Sequence, residues 1–476
     1  MSTLTRVLLP GGLVLPAAIL FCLAGCSGEE QAADTARIVR TTPAAARTAP
    51  AASPPPATAV EVVDGDTGKP VRGARVVAQR RPARADRSGV ARISVPRHRI
   101  SVKASAPGYR SEQVLLDFRR HLTQKVELWR PALQWPLYGA NPARTQVHPA
   151  LRVRPPFRRV WKRKVNGLME FPATVWEGVA YVHTLGGSIR AISMKNGRVL
   201  WKRREGSLMA SSPTIDPGLG ALVSTTMRPG YVNVRSLRNG RLMWRYYTGL
   251  SEPSPVIRDH VAYLGATNGN VYALDLRKRR ARWVYHGGVK ITSSPALVGN
   301  RLYFGDYAGR VFALDARSGR VIWRGSAGTR VYGTVAVAGG RVFAPSVFSG
   351  MSALSAANGR LLWRVPTGAY LYSSPAVYKG RVYFGSFAGS VYCVSARTGH
   401  VFWTRPAGGR ISGAVQVVDR LVYASALEGR VTAWNWQNGR QVWTFGDGGY
   451  VPVSGSGERL LVHGWKTLYA FEEKRR

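Results

Sequence analysis

Lys290, Arg330, Tyr370, Arg410 and Tyr450 follow one another at steps of 40 residues. Residues recurring at a period of this size occupy equivalent places in successive structural units, and in a closed array they fall on one ring. Three cations and two phenols on neighbouring units make a site for an anionic or aromatic ligand, because guanidinium and ammonium groups pair with carboxylate or phosphate and phenols stack and donate. A solvated basic rim is the plainer reading. The same position holds Gly167, Leu208 and Leu250 in other units, and the whole chain is basic, with 68 Lys+Arg against 25 Asp+Glu for a net charge of +43. Glu170 and Glu252 lie near the opposite arc as charge partners for some of these cations.

Other chemistry finds little support. The cysteines Cys22, Cys26 and Cys393 form no CxxC or metal-type spacing. His183, His260, His286, His400 and His463 are scattered among the repeats, His98 and His121 are isolated, and nothing nominates a Ser-His-Asp triad. Many of the acidic residues sit in repeat turns, as Asp275 and Asp315 do, whereas a hard cation needs several oxygen ligands in one place. No catalytic residue, metal or cofactor is therefore expected.

The elements that position the ring announce themselves through tryptophan: Trp161, Trp201, Trp244, Trp283, Trp323, Trp363, Trp403 and Trp443, at intervals of 39 to 43 residues. Each Trp after the first is preceded at a fixed distance by a small or β-branched residue, and six of the seven by a glycine as well: Ala191/Gly197, Val234/Gly240, Ala313/Gly319, Ala353/Gly359, Cys393/Gly399 and Ala433/Gly439; Ala273 heads the repeat of Trp283. Asp, Ser or Asn with a following Gly makes a hairpin turn, the small head leaves room for an indole, and the indole joins one unit to the next. Cys393 stands where the repeat favours alanine and is a packing residue. Between the tryptophans run short β-rich segments, such as Ser293-Ser294-Pro295-Ala296-Leu297-Val298 and Arg301-Leu302-Tyr303-Phe304-Gly305. Four short strands per unit predict an all-β chain whose larger part is a β-propeller. Trp161 lacks a head before it, and Leu468-Tyr469-Ala470-Phe471 lacks a Trp after it. Pairing Phe157 to Lys164 with the C-terminal strands completes one unit from both ends and gives eight blades; seven or nine follow if an end is misread.

The rest of the chain divides by composition. Residues 1–26 read as an export signal: Arg6, an apolar run to Phe21, then Leu23-Ala24-Gly25-Cys26. An uncleaved membrane helix is the alternative, opposed by Pro10 and Pro16. Residues 27–58, rich in Ala, Pro, Thr and Ser, bury too little to fold and read as a tether. Residues 59–130 alternate short strands (Val60–Val63, 71–78, 90–95, 100–104, 124–128) with turns such as Asp64-Gly65-Asp66-Thr67-Gly68, as a small β-sandwich does. Residues 131–476 are the propeller.

Three resemblances follow from these residues. Leu23-Ala24-Gly25-Cys26 resembles a bacterial lipobox, which implies cleavage before Cys26, acyl chains on Cys26 and an extracytoplasmic, lipid-anchored protein. The series Asp64-Gly65-Asp66-Thr67-Gly68-Lys69-Pro70-Val71-Arg72-Gly73-Ala74-Arg75-Val76, then Asp86-Arg87-Ser88-Gly89-Val90, then Ala106-Pro107-Gly108-Tyr109 resembles the carboxypeptidase regulatory-like family, which implies a non-catalytic prealbumin-like module. The frame Ala313-Leu314-Asp315 through Gly319 to Trp323, with its opening Trp135-Pro136-Leu137-Tyr138-Gly139, resembles the tryptophan-docking repeat of PQQ-type propellers. That family includes quinoprotein dehydrogenases, which hold a quinone and Ca²⁺, and the envelope assembly subunit BamB. This chain lacks the adjacent cysteine pair of many such dehydrogenases. The resemblance thus implies a BamB-like, membrane-anchored scaffold for envelope proteins. The alternatives are a binder of acidic envelope polymer or anionic lipid through the +43 field, and a PQQ-dependent dehydrogenase. The compartment argues against nucleic acid.

Overall fold

The computed structural model describes residues 58–474. Cys26, the export signal and nearly all of the proposed tether lie outside the described residues.

Residues 58–128 form two sheets around one apolar core. One sheet orders Val90–Ile93, Thr58–Asp64 and Thr123–Leu128; the other orders Arg81–Arg84, Arg75–Ala78, Arg99–Ser105 and Glu112–Asp117. Val60, Val62, Val76, Val102 and Phe118 are buried between them. The strands Arg81–Arg84 and Glu112–Asp117, absent from the sequence reading, are the two edges of their sheet. An edge strand carries polar and proline residues to resist further pairing, so Arg-Pro-Ala-Arg gives little strand signal.

From Thr174 onward the chain repeats one design. Seven consecutive four-strand antiparallel meanders occupy 174–204, 214–247, 256–286, 296–326, 336–365, 376–406 and 416–445, the last extended to five strands by Val147–His148, which pairs parallel with Gln416–Val418. An eighth sheet joins Val453–Ser456, Arg459–His463 and Thr467–Glu473 to Phe157–Lys164, which pairs antiparallel with the last strand, Trp161 opposite Ala470. This is the two-ended pairing expected from the sequence. The eighth sheet also meets the first: the N–H of Ala173 donates to Nε2 of buried His463 at 3.0 Å, and Nε1 of Trp161 donates to the carbonyl of Met194 at 2.9 Å. Burial holds the His463 imidazole down at about 4, so it is neutral and free to accept.

The tryptophans explain the period. Each of the eight stands opposite the small or β-branched head of its own sheet, as Trp201 does Ala191 and Trp443 does Ala433. Six of them also lie on a glycine of the following sheet's turn: Trp161 on Gly197, Trp201 on Gly240, Trp283 on Gly319, Trp323 on Gly359, Trp363 on Gly399 and Trp403 on Gly439. A Cβ on Gly359 would fall 2.5 Å from the Trp323 ring, and its φ is +78°, so two constraints select glycine there. Trp244 departs from the pattern: the following turn holds Arg279, at φ +56°, where the others hold glycine. Trp443 meets the sheet that includes Phe157–Lys164 and packs edge to face on Phe157 at 5.0 Å.

A segment without periodic signal closes the centre. Residues 135–147 run across the inner strands and accept an N–H from one sheet after another: Val175 to Trp135, Ile215 to Pro136, Leu297 to Pro142, Val337 to Ala143, Val377 to Thr145 and Val417 to Gln146. Arg144 is fully buried within this strap. Its guanidinium donates to the carbonyls of Tyr138, Ser254 (2.8 Å), Pro255 (2.9 Å) and Pro295 (2.9 Å). Burial pulls it down to about 9, so it stays protonated at neutral pH. Arg144 and Gln146 take left-handed φ of +58° and +56°, a local cost that the surrounding hydrogen bonds offset.

Candidate functional site

On the other side of the strap lies a cavity of about 80 Å³ to which every one of the eight sheets contributes. Its equivalent positions are Glu170, Ala210, Glu252, Thr292, Tyr332, Tyr372, Ser412 and Tyr450, with Tyr138 of the strap and Phe171 also lining it. The turns that present these residues are fastened to each other just below the cavity. The N–H of Ser212 donates to Ser254 Oγ, that of Ser254 to Ser294 Oγ and that of Thr334 to Ser374 Oγ, all at 2.9 Å, and the Tyr138 hydroxyl donates to Ser374 Oγ at 3.0 Å. The recurrent Ser-Ser-Pro thus staples neighbouring sheets.

Charge in the cavity is unevenly matched. Glu252 pairs with Lys290, Oε1 to Nζ 3.2 Å. Burial alone would lower the Lys290 ammonium, but the Glu252 carboxylate and the Tyr307 phenol outweigh it and raise it. Glu170 has no ion pair among the described residues; burial, with the Glu252 charge added, pushes it up to about 7. Burial raises the phenols of Tyr332 and Tyr450 as well, helped by these carboxylates.

The residues singled out by spacing form the rim above. The carbonyls of Lys290, Arg330, Tyr370 and Arg410 accept the N–H groups of Tyr307, Val347, Phe387 and Leu427 at 2.8–3.0 Å, the same bond that Leu168, Leu208 and Leu250 make in earlier sheets. Two corrections follow. The first sheet's counterpart is Leu168, not Gly167. Tyr450 belongs one layer deeper, with Tyr332 and Tyr372, because the last interval between sheets is two residues shorter than 40: Ser454 pairs with Leu461 as Gln416 does with Tyr423. On the rim itself cations and rings alternate. Lys290 lies 4.9 Å over Tyr307; Arg330 lies 5.3 Å from Tyr307 and 5.6 Å from Phe348; Tyr370 meets Phe348 at 5.2 Å; Arg410 lies 5.4 Å over Phe387. Arg410 is held by Glu428 at 2.7 Å. Phe348 is 58% and Tyr370 45% exposed, so the arc is an open aromatic and cationic surface.

Cys393 is buried between Tyr383 and Trp403, and burial pushes its thiol up to about 11, as befits a packing residue. Among the described residues no three His, Cys, Asp or Glu side chains gather in a form that holds a metal ion. Sequence reasoning missed Glu170, Tyr332 and Tyr372 as a layer, although they share a fixed offset from the inner strands.

A family model described as "Outer membrane protein assembly factor BamB" matches residues 158–287 and 267–475. The chain belongs to this BamB family. The outer membrane protein assembly factor BamB of Yersinia pestis is 27% identical over 140 residues, 26% of this chain, and the match spans only 35% of that relative's length. BamB from Moraxella catarrhalis superposes with a TM-score of 0.57 at 17% identity, covering 67% of this chain and 98% of that one. The quinohemoprotein alcohol dehydrogenase of Comamonas testosteroni gives 0.61 at 12% identity, over 72% of this chain and 81% of that one. At these identities the structures establish the propeller fold alone.

The quinone and Ca²⁺ implied for dehydrogenase members would have to sit in the central cavity. Its 80 Å³ is far below the roughly 300–1,000 Å³ of pockets that enclose such ligands, Tyr138 of the strap lines it, and one of its two carboxylates is committed to Lys290. The residues present do not fit that group.

Proposed function

We propose that the protein is a non-catalytic docking scaffold of the cell envelope, an eight-bladed propeller that holds partner proteins on its rim and faces. The observation that carries this reading is the family match across residues 158–475, taken with a centre that the chain fills with its own strap. A plugged ring offers surface, not a passage. The arc from Lys290 through Arg330, Phe348 and Tyr370 to Arg410 is the patch assigned to docking, since exposed Arg and Tyr dominate interface energies. Guanidinium groups stacked on rings suit partner loops that carry carboxylates beside apolar residues. In this reading each sheet is one blade, residues 59–130 are a prealbumin-like module, residues 27–58 are a tether, and acylated Cys26 anchors the molecule outside the cytoplasm.

A second reading has its own support. Outer strands carry exposed basic runs, such as Lys202, Arg203 and Arg204, and Arg158 with Arg159. These suit an acidic envelope polymer or anionic lipid surface. In-cell crosslinking of the full chain, followed by a high-salt wash and mass spectrometry, separates the two. A discrete protein set surviving the wash supports docking; a capture emptied by salt, leaving polymer or lipid, supports the electrostatic reading.

A further inference from the structure

We propose that the central cavity is a receptor for an alkylammonium group, from a small organic ammonium or a lysine tip, held between the phenols of Tyr332, Tyr372 and Tyr450 and the carboxylate of Glu170. This goes beyond the docking reading and does not rest on it.

The walls have the required geometry. The Tyr332 and Tyr372 rings meet at 5.3 Å and 78°, forming a corner, and Tyr450 lines another side of the cavity, braced against Trp465 at 5.5 Å. Rings arranged around a small space present their electron-rich faces to a cation. The cavity's 80 Å³ admits roughly two or three water-sized groups, enough for an ammonium and its first methylenes.

Charge points the same way. In a chain of net charge +43, two of the three rim cations are already paired, Lys290 with Glu252 and Arg410 with Glu428, while Arg330 lies over Tyr307 and Phe348 on the rim. Glu170 is left as the one cavity carboxylate without an ion pair among the described residues. An anion would meet Glu170; a cation completes it.

The charged and titratable groups that interact with Glu170 across the cavity are Glu252, Tyr332 and Tyr450, with Lys290 beyond, bound to Glu252. None supplies Glu170 with a cation. Burial has pushed the carboxyl up to about 7, so an entering ammonium drives out its proton, and binding strengthens as pH rises through neutrality.

The test is ligand-observed saturation-transfer NMR on the full chain. Methylammonium and N-acetyl-lysine methylamide are the probes, methanol the neutral control and acetate the anionic one. Saturable binding of methylammonium at pH 8 is expected. Affinity should fall about tenfold in Glu170→Gln, in Tyr332→Leu and in the wild type at pH 5.5, and should persist in Tyr332→Phe. Binding of both probes assigns a lysine tip; binding of methylammonium alone assigns a free ammonium. Equal transfer to methanol, or preference for acetate, overturns the proposal. So does unchanged affinity in a Glu170→Gln protein whose thermal unfolding shows it folded. Partner capture is a separate measurement, so failure of one reading is not failure of the other.

Discussion

At the periphery of the ring, Trp161, Trp201, Trp283, Trp323, Trp363 and Trp403 each lie on a glycine of the next sheet, one pair of residue types used six times. At the centre, the equivalent positions around the cavity are Glu170, Ala210, Glu252, Thr292, Tyr332, Tyr372, Ser412 and Tyr450, different from sheet to sheet. The outer contact solves one packing problem, a large indole over a bare backbone, and any sheet needs the same answer. The inner positions share no such common partner, and they differ. Repetition therefore marks the contact that joins sheet to sheet, and its breakdown marks the positions to which the proposals above assign recognition.

Breaking the outer contact should cost most. Trp323→Ala removes a buried indole and its bond to the Ala356 carbonyl, and should lose about 3–5 kcal/mol in chemical denaturation. Tyr370→Ala at the exposed rim should lose less than about 1 kcal/mol by the same measurement. Next comes the strap: Arg144→Met leaves buried carbonyls of Tyr138, Ser254, Pro255 and Pro295 without their donor and should cost on the order of 3 kcal/mol.

Trp244 is the one outer contact whose following turn lacks the glycine. Arg279→Gly relieves a left-handed φ of +56° and restores the repeat's turn, so it should raise stability by about 1 kcal/mol.

Two pH responses complete the series. His463 has a folded pKa below its ordinary value, so the stability it supplies is present above about 6.5 and fades as pH falls toward 4; His463→Gln, which still accepts the Ala173 N–H, should flatten that acid loss. Glu170 has a folded pKa raised from 4.5 to about 7, so its contribution is present below 4.5 and lost as pH rises through 7. Glu170→Gln should therefore gain thermal stability over the wild type at pH 8 and not at pH 4.

What was legible in the sequence follows the same division. The Trp and Gly positions, and the pairing of Phe157 to Lys164 with the last strand, were readable because periodicity is written in residue type. Cys393 was readable as packing because it sits in that frame. The strap was not, since residues 135–147 make a single pass with no repeat to compare, and Arg144 resembles any of the chain's many arginines until its carbonyl partners are seen. The cavity layer was blurred by a shortened last interval that placed Tyr450 beside Arg410 instead of Ser412. His463 looked scattered because its partner, Ala173, lies 290 residues away.

In the docking reading the rim recognises partners while the repeated contacts only hold the ring together. The direct test is crosslinked capture from cells with two proteins of equal thermal stability. One carries Arg330→Ser and Phe348→Ser on the rim; the other carries Lys202→Ser and Arg204→Ser on an outer strand. The rim variant is expected to lose the salt-resistant protein set and the outer variant to keep it. A rim variant that retains the full set, or an outer variant that loses it, would contradict the claim.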